Sequence, residues 1–172
     1  MKFLKFAYKS IIIHTLTYFI FGLVMSNIFD YEKLFQMDII SDFMRSFDSP
    51  FIILGPLFQP IRGLIFALAI WPIRKIIIET KYGWLILWNI IVLIGIVSTP
   101  SAAPASIEGM IYSKLPNWYH FIGYPELLLQ TITYSFFLIK WEKKELNKIV
   151  TSSFLVLTIF IFLILILGYL MM

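Results

Sequence analysis

The sequence contains no cysteine and few charged residues, and both absences are informative. Without cysteine, the chain cannot form disulfide bonds, thiol nucleophiles, iron–sulfur clusters or cysteine-ligated zinc sites. Charged residues make up 14% of the 172 residues, and hydrophobic residues make up 60%. A soluble domain carries about 25% charged residues. The composition therefore excludes an ordinary water-soluble domain and predicts a single integral membrane domain over residues 1–172.

Motifs for metals, cofactors and nucleic acids are missing as well. The two histidines, His14 and His120, are expected on opposite sides of the membrane, and no H-x-x-x-H or H-E-x-x-H motif is present. The chain also lacks a phosphate-binding loop and the elbow of a Ser–His–Asp triad. Its basic residues form short clusters beside apolar runs rather than a continuous stripe. We therefore expect no metal, no cofactor and no nucleic-acid partner.

Long apolar runs dominate what is present. Five of them cover residues 10–29, 51–73, 84–99, 122–141 and 149–172. Most approach the roughly 20 residues that a helix needs to cross the hydrocarbon core. The runs do not alternate between apolar and polar residues as the strands of a membrane barrel do. The sequence predicts an all-α, polytopic bundle of about five transmembrane helices.

Lysine and arginine are distributed unevenly among the connecting segments. With the N-terminus inside, three basic residues lie on the outer side and ten on the cytoplasmic side. The ten are Lys2, Lys5, Lys9, Arg74, Lys75, Lys81, Lys140, Lys143, Lys144 and Lys148. This bias predicts a cytoplasmic N-terminus and an outer C-terminus. The expected location is a plasma membrane or a bacterial inner membrane.

The first outer connection has a helical pattern of its own. Met37, Ile40, Met44 and Phe47 recur at helical spacing, with acidic and polar residues on the other face. This pattern predicts an amphipathic interfacial helix over residues 34–48 on the outer membrane surface. A lid that packs on the bundle without a ligand is its simplest role.

Arg62 lies in the middle of the second apolar run. An arginine at the bilayer centre costs about 2.5–3.5 kcal/mol, so it marks a functional site by default. Pro56 and Pro60 each remove a helical N–H donor nearby, which predicts a kinked or broken second helix. Irregular backbone at this depth must face protein or water. We therefore expect Gln59 and Arg62 to face the interior of the bundle.

Other polar residues complete a candidate ligand-binding site. Glu126 and Gln130 share one face of the fourth run, and Glu108 lies in the second outer connection. Arg62 is expected to pair with either Glu126 or Glu108. His14 is either a hydrogen-bonded packing residue or part of the site. The candidate ligand-binding residues are Arg62, Glu126, Gln59, Gln130, Glu108 and His14.

Three functions fit these features. The first is a small membrane protein that binds an anionic or amphipathic ligand, such as a lipid, in an intramembrane pocket. The second is an accessory subunit or assembly factor whose polar residues form a purely structural clasp. The third is a membrane-embedded lipid-modifying enzyme. In size and helix count the chain resembles the translocator-protein family of small-ligand binders, but it lacks that family's tryptophan- and proline-rich motif. The expected partners are membrane lipids and either a membrane-protein partner or a second copy of the chain.

Overall fold

The computed structural model describes residues 2–144 and 146–171, and this part of the chain is helical without any strand. Helices account for 80% of the residues, which confirms the predicted all-α class. The long helices are α1 (Lys2–Ile28), α5 (Gln59–Ile70), α7 (Gly83–Val92), α10 (Tyr124–Lys143) and α11 (Lys148–Leu170). The short helices are α2 (Tyr31–Gln36), α3 (Asp38–Ser41), α4 (Pro50–Leu57), α6 (Arg74–Glu79), α8 (Ile107–Tyr112) and α9 (Asn117–Ile122).

Three helical segments are long and apolar enough to cross a membrane: Lys2–Ile28, Pro50–Glu79 and Lys148–Leu170. They contain 27, 30 and 23 residues, and each therefore exceeds the roughly 20 residues that a crossing needs. By length and composition they suggest a membrane location. Helix α7 continues as a π-helix over Leu93–Val97, but the whole apolar helix is shorter than the three segments. The count of five crossings and their orientation stay predictions.

The second of these segments is broken, as its prolines predict. Helix α4 ends at Leu57, and α5 begins at Gln59 after Phe58 adopts φ −85° and ψ −3°. Pro56 and Pro60 flank this junction and cannot donate backbone hydrogen bonds. A 3₁₀ turn over Trp71–Ile73 then separates α5 from α6. The segment Pro50–Glu79 thus consists of three helices with two joints.

Helix α1 lies at the centre of the bundle and packs against α5, α10 and α11. Helix α7 packs on α10, and α6 packs on α7. The contact between α1 and α5 is very close at Gly63, because a Cβ there would lie 2.7 Å from the Cα of Ile11. The buried apolar core includes residues from most of these helices, among them Phe6, Ile13, Ala67, Leu87, Leu138 and Ile161.

Three basic clusters meet at one end of the bundle, which we call the basic end. Lys9 of α1 forms a salt bridge of 2.7 Å with Glu142 and donates a hydrogen bond to the carbonyl of Trp141 at 3.1 Å. Lys143 donates to the carbonyl of Thr80, which follows α6, at 2.7 Å. These contacts join the start of α1, the connection from α6 to α7 and the end of α10.

The predicted interfacial helix over residues 34–48 is wrong as a single element. Met37 is extended (φ −65°, ψ 132°) and separates α2 from α3, and no helix covers residues 42–49. In one straight helix, Phe35 and Ile40 would point about 140° apart. The break instead buries both of them in one cluster with Leu115 and Tyr119. Tertiary packing therefore overrides the local helical pattern.

Candidate functional site

A chain of buried hydrogen bonds joins α1, α5 and α10. The hydroxyl of Ser10, which is fully buried, donates to the carbonyl of Gly63 at 2.7 Å and lies 2.8 Å from the hydroxyl of Tyr134. Tyr134 is also buried. Since both hydroxyls find partners, the three helices meet without an unsatisfied group at this point. We call Ser10, Gly63 and Tyr134 the polar clasp.

His14 and Gln59 form a second buried contact between α1 and α5. The His14 Nε2 lies 2.9 Å from the amide oxygen of Gln59, whose amide nitrogen donates to the carbonyl of Gly55 at 2.8 Å. Because that amide oxygen only accepts, the His14 Nε2 carries the hydrogen. When the ring is neutral, Nδ1 is an acceptor, and Nδ1 is buried without a partner among the described residues.

His14 also lines a groove of about 230 Å³. Its floor comes from α1 and α10, which contribute His14, Gln130 and Thr131. Apolar residues of α5 and α7 form the two walls, and the π-helix Leu93–Val97 extends the second wall. Isolated π-helical turns occur frequently at functional sites. The walls include Phe66, Ala69, Ile70, Leu87, Ile91 and Ile94.

Arg62 lines the same groove but is exposed, so it lies at the edge and not in the interior of the bundle where we expected it. Its guanidinium carbon is 5.8 Å from the centre of the Phe66 ring. In the part of the chain that the structure describes, Arg62 forms no salt bridge, and the expected pair with Glu126 or Glu108 is not formed. Its charge is therefore available to a ligand in the groove.

Glu126 lines a different cavity, near the connection between α1 and α2. Its Oε2 accepts a hydrogen bond of 2.7 Å from the hydroxyl of Tyr31. Burial, and then this hydrogen bond, raise the pKa of Tyr31 above its usual value. No local sequence pattern predicts this contact, because Tyr31 lies 95 residues away from Glu126 along the chain.

Glu108 belongs to the second outer connection and lines neither of these two cavities. It is partly buried in α8, whose first turn is capped by the hydroxyl of Ser106 bonded to the backbone N–H of Gly109 at 2.8 Å. The nearby His120 is fully buried and accepts from the backbone N–H of Ala105 at 3.3 Å. Ala105 has φ 68°, a left-handed conformation that this contact helps to hold.

The structure therefore divides the predicted site. Arg62, His14 and Gln130 line the groove, and Gln59 holds His14 by a hydrogen bond. Glu126 and Glu108 lie elsewhere. The polar clasp contains Ser10 and Tyr134, which are not among the candidate ligand-binding residues predicted from the sequence. Tyr134 lies eight residues after Glu126 on the same helical face, and this spacing indicates that it belongs to the polar side of the helix.

The chain matches no protein-family model, no curated protein and no solved structure.

Proposed function

We propose that the protein is a multi-pass membrane protein that binds an anionic or amphipathic ligand, such as a lipid, in the groove between α5 and α7. The observation that carries this proposal is Arg62, a cation at the edge of an apolar groove without a carboxylate partner among the described residues. A guanidinium binds phosphate or carboxylate groups by two parallel hydrogen bonds. The apolar walls suit an acyl chain or another hydrophobic group.

The proposed topology has five crossings: α1, the broken segment Pro50–Glu79, α7 with its π-helix, α10 and α11. A cytoplasmic N-terminus is supported by the basic end, where Lys9 and Lys143 make contacts that join three connecting segments. In this topology Arg62 is four residues beyond the break at Phe58. The groove would then open sideways to lipid in the middle of the bilayer.

Polar groups on the floor of the groove would position the polar end of the ligand. Gln130 is buried and lines the groove, and His14 contributes a buried ring held by Gln59. The unpartnered Nδ1 of His14 accepts a hydrogen bond from a ligand hydroxyl or from a bound water. An acid–base role for Glu126 or Glu108 beside Arg62 has no geometric support, since neither carboxylate lines the groove.

Native mass spectrometry of the purified protein in maltoside micelles, titrated with phosphatidylglycerol, tests the proposal. Wild type should retain the lipid, and Arg62→Ala should retain about tenfold less of it. Arg62→Lys should recover part of the difference, because lysine restores the positive charge but cannot form the two parallel hydrogen bonds of a guanidinium. Lys114→Ala is the matched control, since it removes one exposed cation outside the groove. A folded Arg62→Ala protein that keeps phosphatidylglycerol like wild type would refute the proposal.

A second function, that of an accessory subunit or assembly factor, is favoured by α11. This helix has a mean hydropathy of 2.9 over its most apolar window, of which only 11% is buried in the bundle. Lipid or the helix of a partner would cover the remaining surface. The buried contacts of His14 with Gln59 and of Tyr31 with Glu126 would then be purely structural. A stable complex with another membrane protein or with a second copy, lost when exposed α11 residues such as Leu163 and Leu167 become alanine, would support this function.

A further inference from the structure

The cavity that contains Glu126 is not used by the proposed anion groove. It has a volume of about 460 Å³ and lies between α1, α4, the start of α10 and the connection over residues 29–49. Among the described residues, Glu126 is the only charged residue in its lining. Six aromatic side chains form much of the wall: Tyr18, Phe19, Tyr31, Phe35, Phe47 and Phe51.

The carboxylate of Glu126 has capacity for a further partner. Its Oε2 accepts from Tyr31, but none of the described residues donates a hydrogen bond to Oε1. Gly22 lies beside Oε1, and a Cβ on that residue would be 3.6 Å away, in ordinary van der Waals contact. Because Gly22 has no side chain, this side of the carboxylate stays open to the cavity.

The aromatic wall favours cations for an independent reason. The rings of Tyr31 and Phe35 stack with centroids 5.5 Å apart, and Phe35 and Phe47 are 6.1 Å apart at a tilt. Aromatic faces carry partial negative charge and attract organic cations within about 6 Å. The guanidinium carbon of Arg45 lies 4.5 Å from the centre of the Phe51 ring, so the other five aromatic rings of the wall are the ones available to a ligand.

We propose that this cavity binds an organic ammonium group, either a free quaternary amine or the headgroup of an amphipathic lipid. An anion would be repelled by Glu126. A hard metal ion such as Ca²⁺ needs six to eight oxygen ligands, and one carboxylate with one phenol cannot supply them. An aromatic wall and a single carboxylate are the combination that recognises alkylammonium ions. The cavity therefore has the opposite charge preference to the groove at Arg62.

Equilibrium dialysis of the full chain in maltoside micelles provides the test, with radiolabelled octyltrimethylammonium and radiolabelled choline as probes. One octyltrimethylammonium ion should bind per chain, and octyl glucoside at equal concentration should not displace it. Glu126→Gln keeps an acceptor for Tyr31 and removes the charge, so it should weaken binding about tenfold. Lys114→Ala, which removes an exposed cation that lines neither the groove nor the cavity, should leave the affinity unchanged. If choline also binds, a free quaternary amine is sufficient for recognition. If only octyltrimethylammonium binds, the ligand must carry an alkyl chain, as a lipid does.

Two results would overturn the proposal. One is a folded Glu126→Gln protein with an affinity within about twofold of wild type, since the charge would then not matter. The other is equal competition by octyl glucoside, which would show that only the alkyl chain is recognised. If Glu126→Gln does not fold, Phe47→Leu removes an aromatic face at the partly exposed side of the cavity and keeps the carboxylate. It should weaken binding several-fold, and unchanged affinity would equally refute the idea.

Discussion

The contact between α1 and α5 at Gly63 allows a quantitative test of the packing. A Cβ on residue 63 would lie 2.7 Å from the Cα of Ile11 and 3.3 Å from the carbonyl oxygen of Ser10. Carbon atoms in contact are normally 3.5–4.0 Å apart. Both neighbours are backbone atoms, which cannot rotate away as a side chain does. In Gly63→Ala the two helices must therefore separate by about 1 Å.

Three effects determine the expected cost of Gly63→Ala. Overpacking of this kind typically destabilises by about 1–3 kcal/mol. Separation also lengthens the 2.7 Å hydrogen bond from Ser10 to the carbonyl of Gly63, a bond worth about 1 kcal/mol. Alanine has a higher helix propensity than glycine, which offsets about 1 kcal/mol. We expect a net loss of about 1–3 kcal/mol in the free energy of unfolding.

Reversible unfolding in mixed micelles, followed by circular dichroism as the SDS fraction rises, measures this loss. Gly95→Ala is the matched control, because a Cβ at Gly95 would have no atom within 4 Å. The control should be neutral or slightly stabilised by its helix propensity. If Gly63→Ala proves as stable as Gly95→Ala, then α1 and α5 do not pack as closely as described.

Two further substitutions test the hydrogen bonds and the basic end by the same unfolding measurement. Tyr134→Phe removes the partner of Ser10 in the polar clasp and should lower the free energy of unfolding by about 1 kcal/mol. Ser135→Ala is the control and should be neutral or stabilising, because the buried hydroxyl of Ser135 has no partner among the described residues. Equal effects of the two substitutions would contradict the hydrogen bond between Ser10 and Tyr134. A double-mutant cycle of Lys9→Met and Glu142→Gln should give a coupling energy of about 1 kcal/mol, since both side chains are largely buried. A coupling energy near zero would mean that this ion pair does not hold α1 to α10.

The helices and the break in the second segment could be predicted because their causes are local. Apolar runs of sufficient length predict the three candidate spans. Pro56 and Pro60 are sufficient to predict a joint, which occurs at Phe58. In contrast, the helical pattern over residues 34–48 was also local and predicted the wrong structure. There the burial of Ile40 against Leu115, a distant residue, decides the backbone conformation.

The side of the bundle that the Arg62 side chain faces could not be predicted from the spacing of residues along α5 alone. Gln59 and Gly63 are buried against α1, and Arg62 lies about a quarter of a turn from the middle of that buried face. This offset places it at the edge of the groove rather than in the α1–α5 contact. The side of α5 that faces α7 depends on where α7 packs, and α7 packs on α10. The sequence of α5 contains no information about that arrangement.

The pairing of helices around the groove determines how the groove can change its width. Helix α5 is attached to α1, α7 is attached to α10, and α6 and α7 meet at the basic end. A Cβ on Gly83 would lie 1.6 Å from the carbonyl oxygen of Ile77, so that junction has no free space. Since α1 also packs against α10, the floor of the groove and its end at the basic end are both closely packed. A molecule wider than the groove would therefore have to separate α5 from α1 or α7 from α10.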